Sequence, residues 1–223
     1  MRNNDLIGLE APIKRMRSPF DYLERRAAGK SVLNVGAAGG IGGYLPGNKE
    51  IWLHHRLQQV AAEIVAVDID RESIAYARKY DVEILHANCE TMDLERKFDL
   101  IVLSDVIEHM DAPVHAIVNL MRHLAPGGAL CITTPNATAA VGFARALLRS
   151  RPNVYWDHVG CYMPEHIQGI CDRYNFKLTE IYFFDHTDGR SLKNIVKSRL
   201  SAVITGLFPG LATAFLAVVE NNV

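Results

Sequence analysis

The sequence has 223 residues, 49% of them hydrophobic, so it can bury one sizeable core and predicts a single domain over residues 1–223. Its formal net charge of −1 gives no general attraction towards nucleic acid or an anionic membrane, and no nucleic-acid partner is expected. The four cysteines form no C-x-x-C pair, which favours reduced thiols in a cytoplasmic protein.

The chain opens with a polar lead-in and a first helix, residues 1–30, in which Ser18-Pro19 supplies the cap and first helical residue of a helix over residues 20–28. Apolar runs then predict seven strands, at residues 31–35, 64–67, 82–86, 98–103, 129–133, 177–184 and 212–219. Segments with helical periodicity lie between them, at residues 50–62, 72–80, 112–124, 163–174 and 191–207.

Alternation of strands and helices predicts right-handed crossovers and a mainly parallel sheet with helices on both faces. The strands are continuous apolar runs, as expected for strands that are covered on both faces. We therefore predict a doubly wound, Rossmann-like α/β fold with seven strands.

One apolar stretch, residues 200–219, carries no charge and is long enough for a membrane span. Pro209-Gly210 interrupts it, however, and would break a lipid-exposed helix. Its first part continues an amphipathic helix and its second part has the pattern of a buried strand. A span is therefore not favoured, and membrane contact stays an open alternative.

A glycine-rich run, residues 36–43, follows the first strand directly. Glycines let the backbone turn sharply and approach a ligand closely, and a following helix N-terminus offers free N–H groups. Because Ala38 occupies the third position counted from Gly36, the G-x-G-x-x-G spacing of dinucleotide sites is absent. A tight turn without any ligand is the alternative interpretation.

Polar residues also follow the second and third strands. Asp68 ends the second strand, where an acid in a nucleotide-binding sheet accepts hydrogen bonds from ribose hydroxyls. Residues 87–90, with the sequence ANCE, follow the third strand and could read an adenine edge. A solvated loop acid and an ordinary polar turn are the respective alternatives.

The fourth strand leads into the sequence SDVIEHM, residues 104–110, which strand-end geometry places at a ligand crevice. Glu108 and His109 are suited to acid–base work, since histidine can take a proton near neutral pH. Alternatively, His109 packs against the cofactor loop and orders Glu108.

Taken in order, the segments VLNVGAAGG, VAVDID, ANCE, FDLIVLSDVIEHM and LAPGGALCITTPN resemble the class I S-adenosylmethionine-dependent methyltransferases. The branch that includes the ubiquinone-pathway O-methyltransferases is the most similar. The resemblance covers residues 31–136 well and extends loosely to ATAFLAVVE, which resembles the antiparallel seventh strand of that fold. It implies S-adenosyl-L-methionine as cofactor and residues 31–136 as its core, with an acceptor-side segment at 137–190 and a C-terminal helix and strand at 191–223.

The resemblance also implies cofactor contacts by position. The loop formed by Gly36, Ala37, Ala38 and Gly40 would lie along the methionine part, while Asp68 would bind the ribose hydroxyls. The remaining implied contacts, at the adenine and at the methionine end beside the acceptor entrance, are Ile69, Asn88, Cys89, Ser104 and Asp105.

Three features depart from the family pattern. Asn34 stands where an acid is usual, which removes a charge near the cofactor's ammonium group. Ala38 replaces a usual glycine. The spacing from Gly40 to Asp68 is longer than is usual in the family, and residues 44–52 resemble an insertion, here called the 44–52 insertion. This insertion is expected to form part of an acceptor wall.

No metal is expected. His54 and His55 are adjacent and point to different faces of a helix, so they cannot easily chelate one ion together. The spacing of Asp157, His158, Cys161 and His166 matches no common metal motif. Hydrolase and zinc-protease signatures are also absent from the sequence.

The predicted chemistry is in-line attack of an acceptor on the sulfonium methyl group, with the enzyme supplying alignment and exclusion of water. An oxygen acceptor of high pKa would need a base, for which His109 is the first candidate and His158 the second. The acceptor, a small molecule or a lipid- or glycan-type compound, is not identified, and neither is the oligomeric state. The alternatives are a non-catalytic nucleotide-binding module of the same fold and an NAD-dependent oxidoreductase.

Overall fold

The structure is a computed structural model that describes residues 6–149, 154–185 and 205–222. Its strands are β1 Ile13–Arg15, β2 Ser31–Val35, β3 Glu63–Asp68, β4 Leu85–His86, β5 Phe98–Ser104, β6 Leu124–Pro135, β7 Phe176–Phe184 and β8 Ala214–Asn221. Its α-helices are α1 Pro19–Ala27, α2 Leu53–Val60, α3 Arg71–Arg78, α4 Pro113–Arg122, α5 Ala140–Arg149 and α6 Pro164–Tyr174.

The strands form one sheet in the order β1-β7-β8-β6-β5-β2-β3-β4. β2 pairs in parallel with both β3 and β5, and β8 lies antiparallel between β6 and β7. The predicted doubly wound, mainly parallel sheet with an antiparallel last strand is therefore confirmed.

The predicted strand number was wrong, because the described residues form a sheet of eight strands rather than seven. The additional strand, β1, pairs in parallel with β7 at the sheet edge, with Ile13 opposite Ile181. All three β1 residues are exposed, so this part of the polar lead-in carries no apolar run that could mark a strand.

Both faces of the sheet are covered, as predicted. On one face, Leu120 of α4 and Ile167 of α6 pack with β2 residues that include Leu33. On the other face, Leu23 of α1 and Leu57 of α2 pack with residues that include Val32. Adjacent strand residues thus enter opposite cores, which is why the strands read as continuous apolar runs.

Other boundaries differ from the prediction for local reasons. Residues 49–51 form a separate 3-10 turn, so α2 starts at Leu53 rather than at residue 50. β4 retains only two residues of the predicted 82–86 strand and lies at the exposed sheet edge. Helix α5 was not predicted at all.

At the C-terminal end, β8 is buried from Ala214 to Val219, in agreement with the predicted strand. Most of the predicted helix over residues 191–207 lies outside the described residues. Among the described helices, none is both long enough and apolar enough to cross a bilayer.

Candidate functional site

The predicted site segments meet at one edge of the sheet. Strand order reverses between β2 and β5, and ligands of open α/β sheets bind outside the carboxyl ends of strands at such a point. Gly36 follows β2, Asp68 ends β3 and Ser104 ends β5. The turn after β4 joins them, because the Ala87 N–H donates to the Asp68 carbonyl oxygen at 2.9 Å.

The loop of residues 36–40, here called the glycine loop, begins at a position where only glycine fits. Gly36 has φ +74°, and a Cβ there would lie 2.3 Å from Val106 Cγ2. Gly40 is also left-handed, with φ +66°. Ala38, which replaces a usual glycine, is fully buried, so its methyl group packs into the core rather than into the crevice.

Asp68 is 8% exposed and accepts two backbone hydrogen bonds. Its Oδ2 accepts from the Ala38 N–H at 2.8 Å and its Oδ1 from the Asp70 N–H at 2.9 Å. A carboxylate has about four acceptor positions, so each oxygen keeps one for a ligand hydroxyl. The next side chain, Ile69, is 63% exposed and offers an apolar surface beside this carboxylate.

In the turn after β4, some of the hydrogen-bonding groups that could contact an adenine ring are used within the protein. Asn88 Oδ1 accepts the Glu90 N–H at 2.8 Å, which shapes the turn. Cys89 is buried, and burial raises the pKa of its thiol to about 11. The thiol is therefore neutral at pH 7, and the turn can offer a ligand backbone groups and the rest of the Asn88 amide.

Asn34 lies buried in β2, two residues before the glycine loop. Its Nδ2 donates to His54 Nδ1 at 3.3 Å, and both side chains are 3% exposed. Burial lowers the pKa of His54 to about 4, so the ring is neutral at pH 7. The usual acid is thus replaced by a neutral amide and a neutral imidazole, and no sequence pattern connects His54 with this position.

The 44–52 insertion also contacts the glycine loop. Trp52 is 4% exposed, and its Nε1–H donates to the Ala37 carbonyl oxygen at 3.0 Å. Tyr44 stacks on the indole with ring centroids 6.3 Å apart. These two aromatic residues therefore pack against the glycine loop, whereas the insertion was expected to form part of an acceptor wall.

At the end of β5, Thr133 of β6 organises the backbone. Its Oγ1 lies 2.8 Å from Ser104 Oγ and 3.2 Å from Asp105 Oδ1, while its carbonyl oxygen accepts the Asp105 N–H at 3.0 Å. Asp105 is exposed and left-handed, with φ +52°. Strained non-glycine backbone of this kind clusters at ligand sites. Sequence reasoning missed Thr133, although it is part of the quoted TTPN segment.

Glu108 is a buried acid beside the crevice. It is 1% exposed, and its Oε2 accepts from Thr134 Oγ1 at 2.9 Å. Burial raises the pKa of this carboxyl to about 7, with the nearby Asp105 charge adding to the effect. The Glu108 carbonyl oxygen also accepts the N–H groups of Val159 and Gly160, which joins the segment before α6 to this edge.

The structure brings the two candidate bases together. The rings of His109 and His158 meet edge to face with centroids 4.6 Å apart. His109 Nδ1 lies 3.2 Å from Asp157 Oδ2. Burial, with the neighbouring His109 second, lowers the pKa of His158. A neutral imidazole and an aspartate-oriented imidazole are both suited to accept a proton.

Donor atoms of Glu108, His109 and His158 all lie within 4.8 Å of one another, close enough to hold a cation. This set differs from the possible metal ligands considered from the sequence, which were Asp157, His158, Cys161 and His166. His166 is engaged elsewhere, since its Nδ1 accepts the Met163 N–H at 3.1 Å at the start of α6.

Comparison with known proteins identifies the family of this chain. Residues 10–181 match a family described as a methyltransferase domain. The mitochondrial ubiquinone biosynthesis O-methyltransferase of Schizosaccharomyces pombe is 27% identical over 120 residues, which cover 50% of this chain and 40% of that protein. The ubiquinone biosynthesis O-methyltransferase of Aromatoleum aromaticum is 23% identical over 177 residues, 73% of this chain and 71% of that protein.

For several of the curated relatives, the alignment with this chain covers less than half of the relative's length. Among solved structures, N-methyltransferase NodS from Bradyrhizobium japonicum, in complex with S-adenosyl-L-homocysteine, has a TM-score of 0.56 and 17% identity. The likeness covers 92% of this chain and 88% of that one. At this identity the structural likeness supports the fold.

Proposed function

The chain belongs to the methyltransferase domain family, of the class I S-adenosylmethionine-dependent type, and from this premise we propose that it transfers a methyl group to a small-molecule acceptor. The observation that carries the proposal is the pairing of the glycine loop with Asp68 at the point where strand order reverses. The Gly36 backbone leaves no room for a side chain, and Asp68 keeps acceptor capacity on both oxygens.

These residues fit S-adenosylmethionine. When bound, this cofactor supplies a methyl group that is activated by its sulfonium. Asp68 would accept hydrogen bonds from the ribose hydroxyls, and Ile69 would cover the adenine. Asn88 and Cys89 would border the adenine edge, and Gly36 to Gly40, with Asn34 beneath, would lie along the amino-acid tail. Ser104 and Asp105 would border the acceptor entrance.

The protein's own part in the chemistry is alignment, exclusion of water and removal of one proton. With the Asp157 carboxylate accepting from Nδ1–H, His109 keeps Nε2 as its proton acceptor. That arrangement makes His109 the proposed general base for a hydroxyl acceptor, and the neutral His158 beside it is the second candidate. Buried Glu108 fixes the backbone that carries both.

We propose an apolar, hydroxyl-bearing acceptor. Asn136 and Tyr162 form a bridge at the sheet edge, and the described residues 137–149 and 154–161 belong to the excursion between them. This excursion carries large exposed apolar side chains, here called the acceptor-side apolar surface: Phe143 (70% exposed), Leu147 (71%), Leu148 (85%), Tyr155 (76%) and Trp156 (94%). The names of the relatives, which concern ubiquinone biosynthesis, support an acceptor with an apolar part.

Two measurements test the function. Calorimetry with S-adenosylhomocysteine should show one site per chain, and Asp68→Ala should weaken binding by about tenfold or more, since charged hydrogen bonds contribute about 1.5–3 kcal/mol. Transfer of labelled methyl should then be seen to hydroxyl-bearing compounds with an apolar tail. Absence of binding by the wild-type protein would refute the cofactor assignment.

The second candidate is a non-catalytic module of the same fold, which the neutral Asn34–His54 pair favours, because this pair supplies no charge for the cofactor's ammonium group. The same experiments separate the two functions. Binding of S-adenosylhomocysteine without transfer of methyl to any acceptor in an extract would support the module.

A further inference from the structure

A buried indole lies beneath the glycine loop, at the end of the 44–52 insertion. The Trp52 Nε1–H donates to the Ala37 carbonyl oxygen at 3.0 Å. That carbonyl belongs to the peptide group that joins Ala37 to Ala38, and the N–H of the same group donates to Asp68 Oδ2 at 2.8 Å. One peptide group is therefore held at its oxygen by Trp52 and at its nitrogen by Asp68.

The indole is itself held in place. The Tyr44 ring stacks on it, with ring centroids 6.3 Å apart and planes inclined by 14°. The His54 ring also lies beside it, with ring centroids 5.0 Å apart. Tyr44 also reaches the loop, since its Cε2 lies 3.7 Å from where a Cβ of Gly40 would be. Aromatic neighbours and burial fix the direction of the indole N–H, so the hydrogen bond can impose an orientation on the loop.

A ring that only filled space would need no polar atom at this place. A buried indole N–H must find an acceptor, and many carbonyl groups could serve that purpose. Here the acceptor belongs to one of the two peptide groups that donate to the candidate ribose-binding carboxylate, the other being the Ile69–Asp70 group. A hydrogen bond accepted by the carbonyl polarises the peptide and strengthens its N–H as a donor. Trp52 and Asp68 are therefore physically coupled through the Ala37–Ala38 peptide.

We propose that Trp52 is a positioning residue of the cofactor site, which fixes the Ala37–Ala38 peptide and thereby aims the Asp68 carboxylate at the ribose hydroxyls of the cofactor. The inference rests on the proposed function, because it assigns a ribose to Asp68. It gives the 44–52 insertion a task on the cofactor side of the crevice.

The test is the variant Trp52→Phe, which keeps a ring and removes the N–H. Its affinity should be measured by calorimetry for two ligands, S-adenosylhomocysteine and the 2′,3′-dideoxy form of that compound. We expect binding of the first ligand to weaken about 3- to 10-fold, the range for one lost hydrogen bond. Binding of the dideoxy ligand should change by less than about twofold, because this ligand has no hydroxyls for Asp68.

Tyr76→Phe is the matched control. The Tyr76 hydroxyl donates to the Leu45 carbonyl oxygen at 3.1 Å, so this variant removes a similar bond from the same insertion without touching the glycine loop. It should leave both affinities unchanged. Should Trp52→Phe fail to fold, β-(3-benzothienyl)alanine at position 52 keeps the bicyclic shape and lacks the N–H.

The outcomes are separable. Unchanged affinity in the Trp52 variant, equal weakening for both ligands, or a wild-type protein that does not distinguish the ligands would each overturn the positioning role. The same ligand-selective loss in Tyr76→Phe would overturn it too. If the wild-type protein binds neither ligand, the proposed function itself fails and the inference fails with it.

Discussion

At the scale of single residues, the glycine loop is shaped by two constraints at Gly36. Its φ of +74° is unfavourable for a side chain, and Val106 occupies the space where a Cβ would be. Either constraint would favour glycine, and together they place the backbone against the neighbouring strand end. His54 shows a different constraint, because a buried imidazole that has only a neutral partner must stay unprotonated.

We expect Gly36→Ala to destabilise the fold by about 1–3 kcal/mol, the usual cost of such backbone strain, and to abolish measurable binding of S-adenosylhomocysteine. Denaturant unfolding and calorimetry measure the two effects. Gly42→Ala is the control, since a Cβ at Gly42 would meet nothing within 4 Å. Wild-type affinity in Gly36→Ala would contradict the assigned geometry.

His54 predicts a pH dependence of stability. Its pKa is about 4 in the folded protein and about 6.5 when unfolded, so between these values the unfolded chain binds more protons. The free energy of unfolding should therefore fall as pH drops from about 6.5 to 4, by up to about 3 kcal/mol from this group. His54→Gln should remove that part of the profile.

Urea unfolding at pH 7 and at pH 4.5 measures the difference between the two profiles. His115→Gln serves as the control, because His115 is exposed on α4 and is not among the causes that lower the pKa of His54. If the wild type and His54→Gln lose stability in parallel on acidification, the assignment of a neutral buried His54 is wrong.

At the scale of elements, the candidate catalytic groups come from two segments that are distant in the chain. His109 lies in the 3-10 turn after β5, whereas Asp157 and His158 precede α6. The N–H groups of Val159 and Gly160 donate to the Glu108 carbonyl oxygen and hold the segments together. The base candidates are therefore positioned by backbone contacts rather than by one continuous element.

We expect His109→Gln to lower the single-turnover rate of methyl transfer about 100-fold at saturating cofactor, the usual size of general-base catalysis, without changing the affinity for S-adenosylhomocysteine. His158→Gln should have a smaller effect of the same kind. His115→Gln, on the exposed side of α4, is the control. Unchanged rates in both variants would remove the general-base role.

At the scale of the whole molecule, the region that follows the carboxyl end of β6 exposes several large apolar side chains. Phe143 and Leu147 lie one turn apart on α5, and both are mostly exposed. Scattered exposed apolar residues are normal, but several large ones in a single excursion favour an interaction. Residues 112–156 contain no Asp or Glu, while Arg145 is exposed, so this region is basic although the chain as a whole is nearly neutral.

We expect the double change Phe143→Glu with Leu147→Glu to leave the free energy of unfolding within about 0.5 kcal/mol of the wild type, as is usual for exposed positions. It should reduce methyl transfer to apolar-tailed acceptors. Leu6→Glu, at an apolar residue that is 97% exposed and lies outside the candidate site, is the control. Equal transfer by the variant and the wild type would show that the acceptor-side apolar surface is not used.

The sequence by itself determined the fold class and the edge of the sheet at which the proposed cofactor segments lie. Buried strands need apolar runs, and Gly36 and Asp68 follow or end such runs. Both features can therefore be recognised from residues that are close together in the sequence. Only the tertiary structure decided that Trp52 holds the Ala37 carbonyl, that His54 accepts from Asn34, and that Glu108, His109 and His158 meet. These contacts join residues without any periodic pattern, and their partners are selected by packing across elements, as is the pairing of β1 with β7.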